Sequence, residues 1–227
     1  MRLFIDSAEP RNWEAGMRRG WVYGVTTNPL VLQREGRTVK PETYRALADE
    51  ARALGLAEIH IQATGAKSAE IAESARFIAG LWDGVVVKIP LSEAGLTAAA
   101  ALSAEKVPMT LTAAYAAHQM IPALAIGVSY VAPYYGRMLD AGRDPDAVLA
   151  RMKAMRDRSD STTRILIASL RSIEQMEHLA ALGHDTFTLA PKLAASLGID
   201  DLTEAAAAEF ERAARDGPNP PEARRRQ

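Results

Sequence analysis

A lysine that could act as a nucleophile stands near the end of a strongly apolar segment, Gly84–Pro90. Three valines precede Lys88, and such a run is typical of a strand that is covered on both faces. Burial disfavours the charged form of an amine, and a neutral amine attacks carbonyl carbons to form a Schiff base. The alternative is a lysine whose stem lies along the strand while its ammonium reaches solvent at the rim. The spacing alone does not decide between these two interpretations.

Other polar side chains stand where further short apolar segments end. They are Asp6, Thr26, Asn28, Gln62, Thr112, Tyr134 and Ser169. Most of them also have a structural interpretation. Asp6 and Thr112 could cap the helices that follow them, and Asn28 before a proline is an ordinary helix start. Gln62 could bond to loop backbone, and Tyr134 could pack at the rim of the fold.

Two arginines follow later apolar segments and could hold an anion. Arg137 and Arg171 lie near the ends of the sixth and seventh predicted strands, so their side chains could converge. Guanidinium groups suit phosphate because their N–H donors match its oxygens in pairs. Surface ion pairs with acids such as Asp140 or Glu174 are the alternative for either arginine.

The elements that must position these residues alternate along the chain. Short β-branched segments predict eight strands, at Leu3–Asp6, Val22–Thr26, Glu58–Gln62, Gly84–Ile89, Val107–Leu111, Ser129–Ala132, Arg164–Ala168 and Asp185–Leu189. Helical spacing predicts helices at Glu42–Leu54, Ser68–Leu81, Leu91–Ala104, Ala113–Ala125, Asp144–Arg158, Ser172–Ala181 and Leu202–Ala214. This alternation indicates βαβ units and a parallel sheet.

Eight such units predict an α/β fold, a single (β/α)8 TIM barrel. An open doubly wound sheet is the alternative, but it would require a glycine-rich first turn, and Ser7–Pro10 contains no glycine. In a barrel the strand ends meet at one mouth, so the polar residues named above would share an active site. We expect residues 1–215 to form the barrel and residues 216–227, rich in Pro and Arg, to form a mobile tail.

The composition argues against several other classes of function. Acidic and basic residues nearly balance, at a formal net charge of −1, which argues against nucleic acid as a partner. The absence of cysteine excludes thiolate catalysis and fits a cytoplasmic protein. The four histidines lack metal-ligand spacing, so we expect neither a metal nor another cofactor. No segment is apolar over a length that would predict a membrane span or a signal peptide.

Five motifs, taken in order, resemble those of the small transaldolases and fructose-6-phosphate aldolases. They are Leu3–Ala8, Gly24–Pro29, Val86–Pro90, Ala132–Tyr134 and Ala168–Arg171. The resemblance extends from residue 1 to about residue 214. It implies a metal-free class I aldolase barrel in which Lys88 forms a Schiff base with the C2 carbonyl of a ketose phosphate. The protonated imine then takes up electrons when the C3–C4 bond breaks.

The same resemblance assigns catalytic roles around Lys88. Asp6 would contact substrate hydroxyls and assist proton transfer. Gln62, Thr112 and Tyr134 would position a catalytic water and move the proton of the C4 hydroxyl.

The resemblance also implies which residues hold the substrate. Those on the dihydroxyacetone portion would be Asn28, Thr26 and Ser169. Those on the phosphate, remote from the reacting bond, would be Arg137 and Arg171.

Two positions separate the branches of the resembled family and favour the aldolases. Transaldolases of this size generally have Glu where Gln62 stands and Phe where Tyr134 stands. A tyrosine hydroxyl can pass a proton to the enamine intermediate and so release free dihydroxyacetone. We therefore predict reversible cleavage of fructose 6-phosphate, or a related ketose, to dihydroxyacetone and glyceraldehyde 3-phosphate.

Transfer of dihydroxyacetone is the alternative reaction. Gly136, Leu170 and Arg171 depart from the patterns typical of the aldolases, and the Gly-Arg pair at 136–137 is common in transaldolases. A transaldolase would move dihydroxyacetone from sedoheptulose 7-phosphate or fructose 6-phosphate to an aldose phosphate in the pentose phosphate pathway. A non-catalytic barrel that binds a sugar phosphate is the alternative from another class, and it would not need Lys88.

The expected partners follow from this resemblance. They are small ketose and aldose phosphates and dihydroxyacetone. Small members of the resembled family commonly form rings of five, often paired into ten, through their C-terminal helices. The alanine-rich segment Leu202–Ala214 could make such a contact, so we expect a pentameric or decameric homo-oligomer.

Overall fold

Eight parallel strands form the interior of the computed structural model, which describes residues 1–216. The strands are β1 (Arg2–Asp6), β2 (Gly24–Thr26), β3 (Glu58–Gln62), β4 (Val85–Pro90), β5 (Met109–Ala114), β6 (Tyr130–Pro133), β7 (Arg164–Ile165) and β8 (Thr186–Leu189). They pair in the order β7-β6-β5-β4-β3-β2-β1-β8. A bridge between Ile167 and Phe187 joins the two edges, so the sheet is nearly closed. The predicted (β/α)8 barrel is confirmed.

Helices connect the strands and cover the outside of the barrel. They are α1 (Pro10–Arg18), α2 (Pro29–Arg34), α3 (Pro41–Ala53), α4 (Ser68–Ala79), α5 (Glu93–Ala104), α6 (Met120–Ile126), α7 (Tyr135–Asp140), α8 (Pro145–Asp157), α9 (Ile173–Ala181), α10 (Pro191–Ser196) and α11 (Asp201–Asp216), with a 3-10 turn at Ala117–Gln119. None of the helices within residues 1–216 is long and apolar enough to cross a membrane. The predicted tail begins at the last residue of α11, and residues 217–227 lie outside the described part of the chain.

Side-chain caps and prolines set the starts of several helices. Asn28, Ser92, Asp144 and Ser172 accept hydrogen bonds from backbone N–H groups in the first turns of α2, α5, α8 and α9. Such caps satisfy donors that have no partner within the helix. Proline stands in the first turn of α1, α2, α3 and α8, where its missing N–H is not needed. Sequence signals near each strand end therefore fix where the chain leaves the barrel mouth.

The apolar core has two parts, one on each face of the sheet. The larger part, between the strands and the helices, includes Val25, Ile59, Val87, Leu111 and Val131. The smaller part, inside the barrel, comprises Phe4, Val86, Tyr130, Ala132 and Leu166. Because side chains alternate between the faces of a strand, Lys88 faces the same side as Val86. Lys88 therefore points into the barrel.

The helix predicted at Ala113–Ala125 begins later than expected. Strand β5 continues to Ala114 through an irregularity between Thr112 and Ala114. Helix α6 starts only at Met120, after the 3-10 turn. The prediction that Thr112 caps a helix is therefore wrong, because Thr112 is still part of the strand.

Strand β7 is shorter than the predicted segment Arg164–Ala168. Regular pairing covers Arg164–Ile165, and beyond it the chain makes isolated bridges, one of them between Ala168 and Tyr134. Ser169, with a φ of 64°, then turns the chain away from the sheet. This difference, like that in β5, lies at the mouth of the barrel.

Candidate functional site

The candidate site is a cavity of about 190 Å3 at the carboxyl ends of the strands. Its lining includes Asn28, Gln62, Thr112, Tyr134 and Arg137, all predicted site residues. A wider groove of about 1100 Å3 lies outside the barrel, between α8 and the segment from Tyr115 to Leu124. None of the predicted site residues lines that groove. We take the smaller cavity as the site because the strand-end groups meet there, as expected for this fold.

Lys88 lies in the buried part of β4 beside this cavity. The residue is 4% exposed, so its side chain does not extend into solvent at the rim. Its backbone neighbours in register are Gln62 on β3 and Thr110 on β5. Within residues 1–216, its ammonium group forms no ion pair with a carboxylate. A buried amine without a counter-ion is costly for a folded protein, and such groups cluster at functional sites.

Asp6 ends β1 and is held by a chain of hydroxyl groups. The Thr26 hydroxyl donates a hydrogen bond of 2.7 Å to the Asp6 carboxylate. Thr188 in turn contacts the Thr26 oxygen at 2.6 Å, and it must donate because the Thr26 proton is already used. Asp6 does not cap α1, whose capping position is Glu9. The carboxylate therefore keeps acceptor capacity toward the barrel mouth.

Asn28 caps α2, as its structural interpretation predicted. Its side-chain oxygen accepts hydrogen bonds from the backbone N–H groups of Leu30 and Val31, at 2.9 and 3.1 Å. Those bonds fix the orientation of the side chain and leave its NH2 group available to donate. Asn28 also lines the cavity. The capping role and a ligand-binding role are thus compatible.

Thr112 and Tyr134 form a hydroxyl pair on the opposite wall. The Thr112 hydroxyl donates to the Tyr134 oxygen at 3.1 Å, so the phenolic proton points to another acceptor. Ala113 next to this pair has a φ of 60°, which is unusual for a residue with a Cβ atom. The Tyr134 ring packs edge-on against Tyr115, with ring centroids 5.7 Å apart. Tyr134 therefore presents its hydroxyl hydrogen as a donor near the cavity.

Ser169 is held against the start of α7 by a close backbone contact. The Gly136 N–H donates to the Ser169 carbonyl at 3.0 Å. A Cβ atom at position 136 would lie 2.3 Å from the same carbonyl oxygen, so only glycine fits there. Ser169 does not line the cavity.

The two predicted phosphate-binding arginines differ in their contacts. Arg137 borders the cavity, and its guanidinium lies 5.0 Å from the centre of the Tyr134 ring. Arg171 instead forms a two-point ion pair with Asp140, the alternative that the sequence left open. The two arginines do not converge on one open cavity in the described structure.

Sequence reasoning missed a second polar cluster, deeper in the barrel interior, which adjoins Lys88 because Thr110 is in register with it. We call it the barrel floor, and it consists of Arg2, Glu58, His60, Thr110 and Tyr130. Glu58 accepts hydrogen bonds from Tyr130 at 2.7 Å and from Arg2 at 3.3 Å. His60 joins Glu58 at 3.0 Å to Thr110 at 2.9 Å through its two ring nitrogens. The strict alternation of polar and apolar residues in Glu58–Gln62 was the available signal.

In the barrel floor, the Glu58 carboxylate is ionised and the His60 imidazole is neutral. Burial lowers the pKa of His60 despite the opposing effect of Glu58. Burial alone would raise the pKa of Glu58, but hydrogen bonds from His60 and Tyr130 hold it below its usual range. With Glu58 ionised, His60 carries its proton on Nε2 and accepts from Thr110 through Nδ1. No group of three or more His, Asp or Glu side chains among residues 1–216 is arranged to hold a metal ion.

Comparisons with known proteins agree with this architecture. A family model described as transaldolase/fructose-6-phosphate aldolase matches residues 3–220. A relative named "Probable transaldolase" from Maricaulis maris (strain MCS10) is 33% identical over 204 residues, covering 90% of this chain and 92% of the relative. One of the same name from Streptococcus pyogenes serotype M2 (strain MGAS10270) is 32% identical over 203 residues, covering 89% and 92% of the two chains.

Proposed function

The chain belongs to the transaldolase/fructose-6-phosphate aldolase family of enzymes, and we propose that it is a Schiff-base aldolase. Lys88 would bind the ketose, and fructose 6-phosphate or a related ketose would be cleaved to dihydroxyacetone and glyceraldehyde 3-phosphate. The family alone supports an aldolase or a transaldolase. The finer assignment depends on the residues around Lys88.

One observation supports Schiff-base chemistry above the others. Lys88 is 4% exposed in β4, in register with Gln62, which lines the cavity, and it lacks a carboxylate partner within residues 1–216. A lysine kept only for stability would be better placed with its ammonium in solvent or in an ion pair. An unpaired amine in a shielded site is suited to attack a carbonyl carbon.

The reaction can be written with these groups. Lys88 adds to C2 of the ketose and loses water, which leaves a cationic imine. The C3–C4 electron pair moves into this imine to give an enamine, while the C4 hydroxyl loses its proton and the aldehyde departs. Protonation at C3 and addition of water then release dihydroxyacetone and restore the amine.

The hydroxyl pair on the cavity wall is suited to the proton steps. Thr112 fixes Tyr134 by donating to its oxygen, so the phenolic proton is free for an acceptor in the cavity. Gln62 lines the same cavity and could hold the water that exchanges protons with Tyr134. Asp6 would accept from substrate hydroxyls, since Thr26 already fixes its carboxylate.

The remaining predicted residues would hold the substrate. Asn28 has a fixed amide with a free NH2 group, which suits a hydroxyl of the dihydroxyacetone portion. Ser169 and Thr26 would serve the same portion. Arg137, at the edge of the cavity, would bind the phosphate, with Arg171 as the second cation.

Dihydroxyacetone transfer is the second candidate function. The names of the relatives from Maricaulis maris and Streptococcus pyogenes favour it. Gln62 and Tyr134 favour cleavage, because a phenol that can protonate the enamine allows release without an acceptor. A transaldolase would keep the enamine unprotonated until an aldose phosphate arrives.

Product analysis tests both candidates. The protein is incubated with fructose 6-phosphate alone and then with added erythrose 4-phosphate, with Lys88→Met and Tyr134→Phe variants in parallel. Glyceraldehyde 3-phosphate formed without an acceptor, and lost in both variants, supports the aldolase. Product formed only with erythrose 4-phosphate identifies a transaldolase. Failure of borohydride to trap any ketose on Lys88 would reject both and leave a sugar-phosphate-binding barrel.

We also propose that the protein is a homo-oligomer, a pentamer or decamer, held by α11. This helix has no buried residue along its described length. Leu202 and Phe210 on it are 82% and 72% exposed, which is unusual for large apolar side chains. Light scattering of the wild type and of a Phe210→Asp variant tests the assignment. A monomeric mass for the wild type at micromolar concentration would contradict it.

A further inference from the structure

The Asp140 carboxylate is paired with the guanidinium of Arg171, which the proposed function assigns to the substrate phosphate. The Arg171 Nη1 group donates to one Asp140 oxygen at 2.7 Å, and Nη2 contacts the other oxygen. This two-point geometry is the one that guanidinium groups use for phosphate. The hydrogen bonds from Arg171, helped by the charge of Arg137, hold the pKa of Asp140 below its usual range. Asp140 is therefore a fixed negative charge at neutral pH.

The fold brings this carboxylate close to both arginines. Asp140 ends α7, and Arg137 lies three residues earlier, on the same side of the helix. Arg171 lies over the first turn of α7, since a Cβ atom at Gly136 would be 3.0 Å from its Nε atom. The Arg171 backbone N–H donates to Gln175 at 2.9 Å, which fixes the start of the side chain. The Arg171 guanidinium thus has a set position next to α7, where it is paired with Asp140.

We propose that Asp140 is a specificity-determining residue that competes with the substrate phosphate for Arg171. The inference rests on the proposed function, because it takes Arg137 and Arg171 as the phosphate site. Asp140 and Arg171 are both about half exposed, and exposed ion pairs contribute little net stability, so a phosphate can displace the carboxylate. The displaced carboxylate then repels the phosphate. The preference for phosphorylated over unphosphorylated substrates is consequently lower than two free arginines would give.

Removing the charge of Asp140 should strengthen phosphate binding. We would measure the Kd of inorganic phosphate by calorimetry for the wild type, Asp140→Asn and Asp140→Ala. Both variants should bind phosphate about 2- to 5-fold more tightly, the effect expected when the partner in an exposed ion pair is removed. Asp157→Asn is the matched control, since it removes an equal charge from an exposed ion pair with Lys153 on α8. The control should leave the Kd unchanged.

Kinetics provide the second measurement. The ratio of kcat/KM for fructose 6-phosphate to that for fructose should rise by the same factor in Asp140→Asn, through KM rather than kcat. The double variant Asp140→Asn with Arg171→Ala should lose the gain. Unchanged phosphate binding in both Asp140 variants, with an active wild type, would overturn the inference. Tighter phosphate binding without any ketose cleavage would instead reject the proposed function and keep the competition at Arg171.

Discussion

The two ends of the barrel interior both contain buried polar side chains, but they differ in how these groups are satisfied. At the floor, the Glu58 carboxylate and the ring nitrogens of His60 form hydrogen bonds with each other and with side chains of β1, β5 and β6. At the mouth, the side chains of Lys88, Gln62 and Ser169 form no hydrogen bond with any other residue of 1–216. Gln62 and Ser169 are partly exposed. Buried polar groups are normally paired, and the one buried side-chain polar atom of residues 1–216 without a hydrogen bond, the Thr27 hydroxyl oxygen, lies directly after β2.

The backbone shows the same difference. Ala113 and Ser169 at the mouth have φ values of 60° and 64°, whereas no floor residue lies in this region. Each such conformation costs about 1–3 kcal/mol and persists where the surroundings impose it. The mouth thus contains two unfavourable backbone conformations, whereas the polar groups of the floor are paired. We therefore expect substitutions at the mouth to lower activity more than stability, and substitutions at the floor to lower stability more than activity.

Replacing Lys88 should give the largest separation. Lys88→Met keeps a long side chain but removes the amine, so no Schiff base can form. We expect turnover to fall by about 10⁴-fold or more, as for other covalent nucleophiles. The free energy of unfolding should stay the same or rise by about 1 kcal/mol, because a buried unpaired amine is lost.

Product assays and thermal unfolding of the same preparation measure both effects. Lys106→Met, on an exposed turn, is the matched control and should change neither quantity. A Lys88→Met protein that loses several degrees of Tm would place Lys88 among the stabilising residues and weaken the contrast between the two ends.

Replacing Glu58 should give the opposite result. Glu58→Gln removes the negative charge that Arg2 and His60 share while keeping the size of the side chain. Breaking a partly buried charge network of this kind should cost about 2–4 kcal/mol of unfolding free energy. Ketose cleavage measured well below the Tm should change less than about 3-fold, because Glu58 is the first residue of β3 and does not line the cavity, whereas Gln62 at the end of β3 does.

Glu105→Gln is the control for this effect. Glu105 pairs with Arg76 at 2.7 Å, but both side chains are exposed, so its loss should leave the unfolding midpoint nearly unchanged. A large loss of activity in Glu58→Gln without a loss of stability would show that the floor acts on Lys88, and the separation between the ends would fail.

The strands were predictable from the sequence because each contains a run of apolar, often β-branched residues that stands out from the segments around it. Glu58–Gln62 was predicted without error, and Lys88 was placed at the end of β4 by its three preceding valines. The end of β5 was not, since a residue with positive φ such as Ala113 carries no signal in its side chain. The short helix α7 was also missed, because six residues give too little periodicity.

The site was predictable where strand order alone positions a residue. Asn28, Gln62, Thr112, Tyr134 and Arg137 meet at one cavity because parallel strands end at the same mouth. The pairing of Arg171 with Asp140 was one of two open alternatives, since it joins residues 31 positions apart through side-chain geometry. The floor was missed because Arg2, Glu58 and Tyr130 stand at the beginnings of their strands, whereas the active sites of barrels lie at the strand ends.

Titration of His184, two residues before β8 at the floor end, should give the smallest effect. Burial, with the charges of Lys153 and Arg156, lowers the pKa of His184 to about 4, against an ordinary value of 6.5. The unfolded chain therefore binds this proton more tightly, so stability is complete above about pH 6.5 and falls as the pH decreases toward 4. Near pH 5.5 the loss is about 1 kcal/mol. His184→Gln should remove this part of the pH dependence in denaturant titrations, whereas His118→Gln, at an exposed position, should keep it.

Equal pH dependence in the wild type and His184→Gln would mean that His184 is protonated in the folded barrel, and that the floor end tolerates a charge there.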